Sequence, residues 1–274
     1  MAGVVLVVLH LPEDAPRLLT AAATLAGLAG AARIIALCPR LPPRETILPT
    51  EEILTAQQAT RVRADERQRS DAVRARFEAW RAVAPAATIA AEWADVESRA
   101  DHAVAEWGRR ADYIVLRRPG ERPDERTRQA LHAALFDSAR PVLLVPVETP
   151  PAPFGHRVAI AWRDDARTLR AVLAALRCLG GAERIHVLAG HRQDEAVPRL
   201  PDVLDEHGIA AELHVLPVTG QGRFGEVLAA KARELGCDML VMGAFVRNPT
   251  LTLVFGGVTR YMLSHAEIPV LMRH

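Results

Sequence analysis

The sequence predicts an α/β chain of two tandem, doubly wound domains. Each is expected to be a five-stranded parallel sheet in the order 3-2-1-4-5 with helices on both faces. Three observations lead there. Short runs rich in β-branched residues alternate with longer stretches of helical spacing. The strand candidates are continuously apolar rather than alternating, which marks strands covered on both faces. The same order of elements occurs twice within 274 residues, a length that suits two domains of about 130–150 residues.

In the first half the predicted strands are Val4–Leu9, Arg33–Cys38, Ala87–Glu92, Tyr113–Leu116 and Val142–Val147. Between them Ala15–Leu28, Glu51–Ala84, Val96–Arg109 and Arg126–Asp137 have helical spacing. In the second half the strands are Arg157–Trp162, Arg184–Leu188, Ala211–Leu216, Met239–Gly243 and Val270–Met272, and the helices are Asp165–Leu179, Pro198–His207, Phe224–Leu235 and Gly257–Ser264. Local sequence repeats along with element order. Ala111–Leu116 corresponds to Cys237–Met242 at an offset of 126, and Ala139–Leu143 to Glu267–Leu271 at an offset of 128. The proline-rich stretch Glu148–Gly155 reads as a stiff linker. The first repeat is therefore placed at 1–148 and the second at 156–274. The last strands, Val142–Val147 and Val270–Met272, would leave apolar edges, so the two repeats are expected to pair through them.

The first repeat carries a helical insertion over about 41–85 that the second lacks. Its helix is loaded with Arg, Asp and Glu, and its apolar positions are sparse (Ile53, Leu54, Val62, Val73, Phe77, Trp80). That pattern describes a solvated helix with one narrow packed stripe. A protein partner at the 51–84 helix is the alternative.

Lys plus Arg number 34 and Asp plus Glu 33, so nothing favours nucleic acid or an anionic membrane as partner. No run approaches the roughly 20 apolar residues of a membrane helix. The apolar opening lacks a basic flank and a cleavage site, and is expected to be a buried strand. Three scattered cysteines (Cys38, Cys178, Cys237) suit a reducing, cytoplasmic setting and read as small buried hydrophobes. None of the ten histidines forms a helical metal pair; His132, His186 and His214 are expected to be packed or hydrogen-bonded, and no metal is expected. Gly220, Gly222 and Gly225 have dinucleotide-loop spacing, but they follow a third strand rather than a first and read as a turn and helix start.

The informative segment is Val241–Ser264. A strand runs to Gly243, a loop follows, and Gly256-Gly257-Val258-Thr259 opens a helix. Glycines permit close backbone approach and a helix start offers unpaired N–H groups, as a phosphate site requires. Here the chain resembles the universal stress protein family over nearly its whole length, as two copies. ATP-binding members of that family carry Gly, two residues, Gly, nine residues, Gly, then Ser or Thr. Gly243 matches the first glycine, and Gly256 follows the nine residues Arg247–Phe255. Val246 stands at the second glycine and Gly257 at the hydroxyl residue. Arg247 and Asn248 remain available to an anion, and the resemblance implies that Asp164, just after the first strand of its repeat, contacts the nucleoside. The competing reading is that the glycines serve a tight turn and that Asp164 or Asp165 caps the next helix.

In the first repeat the matching stretch, Leu116–Asp124, has no glycine pair, and Pro119 and Pro123 remove backbone donors. Arg117, Arg118 and Arg122 read as a solvated basic turn and Asp14 as a surface or cap residue. The resemblance implies a stress-response binding or regulatory protein; no nucleophile, base and orienting group converge in the sequence, so no catalysis is expected. ATP or another adenine nucleotide is the candidate ligand, bound weakly and only in the second repeat. Two alternatives stay open: a nucleotide-hydrolysing or adenylating enzyme on the same fold, and an interaction scaffold with both pockets inactive. A homodimer is also compatible.

Overall fold

The strands form where Val, Ile and Leu cluster: β1 (Gly3–Val8), β2 (Ala31–Arg40), β3 (Ala90–Glu97), β4 (Tyr113–Arg117), β5 (Val142–Val145), β6 (Arg157–Trp162), β7 (Arg184–His191), β8 (Glu212–Pro217), β9 (Met239–Gly243) and β10 (Val270–Arg273). The helices are α1 (Ala15–Ala29), α2 (Ala56–Val83), α3 (Ala100–Gly108), α4 (Glu125–His132, continued by a π turn to Asp137), α5 (Ala166–Leu179), α6 (Asp202–Glu206), α7 (Phe224–Glu234) and α8 (Gly257–His265). The computed structural model describes residues 3–45, 55–83, 89–146, 153–218, 224–244 and 256–274.

The chain forms two compact units, Met1–Arg117 with Pro123–Arg140, and Arg118–Arg122 with Pro141–His274. In the first, four parallel strands run in the order β3-β2-β1-β4. In the second the order is β5-β10-β9-β6-β7-β8. Its five parallel strands, read as β8-β7-β6-β9-β10, are the expected 3-2-1-4-5. The sixth, β5, joins β10 antiparallel, with Leu143 opposite Leu271. Because these two leucines are equivalent in the duplication, the strand pair has a local twofold axis between them.

The duplication also shows in hydrogen bonds. Asp112, just before β4, accepts the Val4 N–H on Oδ2 at 2.8 Å, and its own N–H donates to the Val4 carbonyl. Asp238, its equivalent before β9, accepts the N–H groups of Gly155, His156 and Arg157 and donates to the Arg157 carbonyl. Each aspartate ties the fourth strand of its repeat to the start of the first, and satisfies amides that have no sheet partner there.

Three elements depart from the sequence expectation. The third strand is Ala90–Glu97 rather than 87–92, and the helix after it starts at Ala100, not Val96; residues 84–88 lie outside the described set. β3 is a half-exposed edge strand, so it carries Glu92, Asp95 and Glu97 where a buried strand would be apolar throughout. Its register on β2 is held by eight consecutive pairs from Arg33↔Ala90 to Arg40↔Glu97, with Arg40 also salt-bridged to Asp95 and Glu97. α6 is the short Asp202–Glu206 rather than Pro198–His207.

α2 does present one narrow stripe. Ser70, Val73 and Phe77 are buried, Phe77 packs on Trp93 at 5.6 Å, and Trp80 Nε1 donates to Thr20 of α1 at 3.2 Å. Ile53 and Leu54 lie outside the described residues. Among the described residues no helix is long and apolar enough to cross a membrane. All three cysteines are buried and free, and burial, aided by Asp238, pushes the Cys237 thiol up to about 11.

Candidate functional site

In an open parallel sheet, ligands bind beyond the carboxyl ends of the strands where the strand order reverses. In the second unit that point lies between β6 and β9. β6 ends at Trp162 and the chain turns through Arg163–Asp165 into α5. Asp165 Oδ1 accepts the N–H groups of Arg167 (3.0 Å) and Thr168 (2.9 Å), while Oδ2 accepts Arg163 Nε at 2.5 Å. Burial alone would raise this carboxyl; the Thr168 N–H and the Arg163 guanidinium outweigh it and hold Asp165 below the usual carboxylate range. The cap role therefore belongs to Asp165, and Asp164 stands exposed beside it.

Gly243 closes β9, buried and paired with Arg273. The register of β6 on β9, with Ala161 opposite Met242, sets Asp164 and Gly243 at the carboxyl ends of neighbouring strands. α8 then opens at Gly257 with Gly256 as its cap residue, at φ −59° and ψ 156°. Any residue can adopt that backbone, so Gly256 is not there for conformational freedom. What it does is leave the helix start without a side-chain cap, so among the described residues the N–H groups of Gly257 and Val258 have neither a helical carbonyl nor a side-chain cap to accept them. Gly257 is exposed and Val258 half-buried. Thr259 is fully buried. Val246, Arg247 and Asn248 lie outside the described residues.

The equivalent place in the first unit, between β1 and β4, is filled by the chain itself. Asp124 caps α4, its Oδ1 accepting the Thr127 N–H at 2.6 Å, so a carboxylate already occupies that helix start. Glu66 of α2 reaches the same end of the sheet. Its Oε1 accepts Arg126 at 2.7 Å, and its Oε2 accepts Arg69 and the Leu41 N–H, each at 2.9 Å. Burial opposes the charge on Glu66, but these three donors prevail and hold its carboxyl at about 2. Arg69 also donates to the carbonyls of His10 and Pro39. His10 is buried beside this cluster; burial first, then Arg126 and Arg69, push its imidazole down to about 3.

Two expectations are corrected in this region. Asp14 holds the N-cap position of α1 without a side-chain cap bond; it is buried rather than at the surface, and its carboxylate is paired with Arg117 Nη1 at 2.8 Å. Arg118 is not solvated. It is buried and donates to the Leu263 and Ser264 carbonyls in the last turn of α8, where a cation suits the helix dipole. The turn that holds it docks there too, with the Gly120 N–H on the Leu263 carbonyl and Glu121 paired with His265. The Glu66–Arg69–Arg126 network was missed because charged residues on a polar helix look solvated. The available signal is their spacing: Val62, Glu66, Arg69, Ser70, Val73 and Phe77 fall on one helical face.

Gly225 is a packing residue, as its place after the third strand of the repeat suggests. A Cβ there would sit 2.6 Å from Tyr261 Cβ of α8. Gly220 and Gly222 lie outside the described residues. Gly225→Ala is expected to cost about 1–3 kcal/mol through this overlap, read as a lower urea midpoint at unchanged m-value; an unchanged midpoint would mean that α7 and α8 are not in contact.

The model of the "Universal stress protein family" matches residues 124–274. The chain belongs to the universal stress protein family. Among solved structures it is similar to a universal stress protein from Archaeoglobus fulgidus, at 14% identity over 98% of this chain and 97% of that one, with a TM-score of 0.69. A putative universal stress protein from Pseudomonas aeruginosa is 16% identical over 99% and 93%, with a TM-score of 0.59. The cytoplasmic domain of a prokaryotic cation chloride cotransporter is 12% identical over 99% and 95%, with a TM-score of 0.52. These likenesses establish a shared fold. No curated protein matches. Against the family's loop, this member keeps the flanking glycines Gly243 and Gly256 and departs at Val246 and Gly257.

Proposed function

We propose that this universal stress protein is a cytoplasmic, stress-response regulatory protein that binds an adenine nucleotide weakly, in its second repeat only, and does not turn it over. The observation that carries the reading is the contrast between two helix starts. α8 opens on a glycine with no side-chain cap at the switch point of its sheet, whereas α4 is capped by Asp124 and crowded by Glu66, Arg69 and Arg126. An uncapped helix start favours an anion, so the phosphates would lie on Gly256, Gly257 and Val258 and the backbone of Thr259. Asp164 and Gly243, at the ends of adjacent strands, would face the nucleoside and the first phosphate, with Arg247 and Asn248 supplying charge and a donor from the loop. The scaffold alternative applies if the loop over Arg247–Phe255 fills the cleft.

Calorimetric titration with ATP, ADP and AMP tests this, together with the fluorescence of Trp162, which is the sole tryptophan of the second repeat. The native chain should bind weakly and release no phosphate. Val246→Gly with Gly257→Ser restores the family pattern and adds one hydrogen bond worth about 0.5–1.5 kcal/mol, a gain of about two- to tenfold in affinity. If neither protein binds, the scaffold reading replaces this one; steady phosphate release would instead favour the enzyme.

A further inference from the structure

β7 and β8 carry three metal-ligating side chains on one face of the sheet. His186 on β7 stands directly opposite Glu212 on β8, and His214, two residues along β8, lies opposite Leu188. Alternation along the strands turns all three side chains to the same face. His186 Nδ1 is 3.1 Å from His214 Nε2 and 3.5 Å from Glu212 Oε2, and His214 Nε2 is 3.9 Å from the same oxygen.

We propose that His186, Glu212 and His214 form a zinc site, a function separate from the nucleotide reading and independent of it. Tetrahedral zinc with Zn–N bonds of about 2.0–2.1 Å sets its ligand atoms about 3.3–3.4 Å apart, and the three observed separations bracket that value. Two imidazoles with one carboxylate are a borderline donor set suited to zinc, with a fourth position open to water.

The chemistry of each ligand agrees. His186 is 3% exposed, so its imidazole is held in place by the packing around β7. Two imidazole nitrogens at 3.1 Å have room for only one shared proton, and a metal between them would satisfy both. Arg184 approaches the other carboxylate oxygen of Glu212, Oε1, at 3.7 Å. That contact orients the carboxylate while leaving Oε2 toward the imidazoles, as outer groups do around bound metals. The site rests on strands rather than loops, so its geometry is fixed by the ladder. β8 closes one edge of its sheet and pairs only with β7 among the described strands. Zinc held by one residue of β7 and two of β8 would fasten that edge.

The test uses untagged full-length protein, stripped with a chelator and dialysed, then titrated with zinc chloride by calorimetry and with cobalt chloride by visible absorption. One zinc per chain is expected, with tetrahedral cobalt bands and a higher Tm on zinc addition. His214→Ala and Glu212→Gln alter residues at the solvent side, so the fold should persist; each should lower zinc affinity at least tenfold, as loss of even an outer group does. His214→Cys, which restores a zinc ligand, should recover most of it. Absence of zinc binding by the native protein, or binding and a Tm rise that survive both variants unchanged, would overturn the site.

Discussion

Leu143→Lys or Leu271→Lys is expected to remove most of the stability of the second compact unit. The two residues face each other across the antiparallel β5–β10 pair, 0% and 1% exposed. Losing a fully buried leucine costs about 2–5 kcal/mol before any charge is considered. The ammonium adds a further penalty, relieved only by shedding its proton or by opening the pair. A loss of about 5 kcal/mol or more is therefore expected per site, against a total of about 5–15 kcal/mol for a domain. Urea denaturation followed by circular dichroism reads it directly, and Leu143→Met, which keeps the volume, should stay within about 1.5 kcal/mol of the parent. The double lysine variant sets like charges opposite each other and should not fold. Near-native midpoints for both single variants would mean that β5 does not pair with β10 in solution.

That pairing was legible in the sequence because two apolar runs at repeat ends have to be covered. The centre of the second repeat was legible because β6 and β9 are apolar on both faces, and both fall on the expected residues. Legibility ended where polarity and structure part company. β3 is an edge strand that carries Glu92, Asp95 and Glu97, so its true span resembled the start of a helix. Glu66, Arg69, Asp14, Arg117 and Arg118 are charged residues whose partners lie far along the chain, and nothing local distinguishes them from solvated ones. His186, Glu212 and His214 converge only once the β7–β8 register is known, which periodicity does not supply. Of the proposed nucleotide residues, Gly243 and Gly256–Thr259 were marked by a glycine-bearing strand, loop and helix start and by the resemblance to the universal stress protein family, and Asp164 by that resemblance; a helix start after a central strand falls at the carboxyl edge of any such sheet. The choice between Asp164 and Asp165 as cap needed coordinates, since both precede the helix by residues that can serve.

Acid should weaken the first unit in two steps that belong to two residues. His10 is 8% exposed, and neither of its ring nitrogens has a hydrogen-bond partner among the described residues. Burial, then Arg126 and Arg69, lower its pKa from 6.5 to about 3, while Asp124 and Glu66 pull weakly the other way. A folded pKa below the unfolded one means that the unfolded chain binds the proton more readily, so stability is complete above pH 6.5 and falls as pH drops toward 3. Between pH 6.5 and about 4.5 this step alone should remove about 2–3 kcal/mol. Glu66 follows. Its carboxyl is lowered from 4.5 to about 2, so its share is present above pH 4.5 and disappears as pH falls through 2. Two variants separate the steps. His10→Leu removes an imidazole that makes no hydrogen bond, so it should be neutral or stabilising at pH 7 and should flatten the profile between pH 6.5 and 4.5. Glu66→Ala leaves Arg69 and Arg126 without their carboxylate and the Leu41 N–H without its acceptor, and should cost about 3 kcal/mol at pH 7. Urea midpoints at half-unit pH intervals carry the test, run in a Trp162→Phe background so that Trp80, Trp93 and Trp107 report on the first unit. A wild-type profile that stays flat from pH 7 to 4.5 would place His10 in water, and a Glu66→Ala protein as stable as the parent would dissolve the network that closes this cleft.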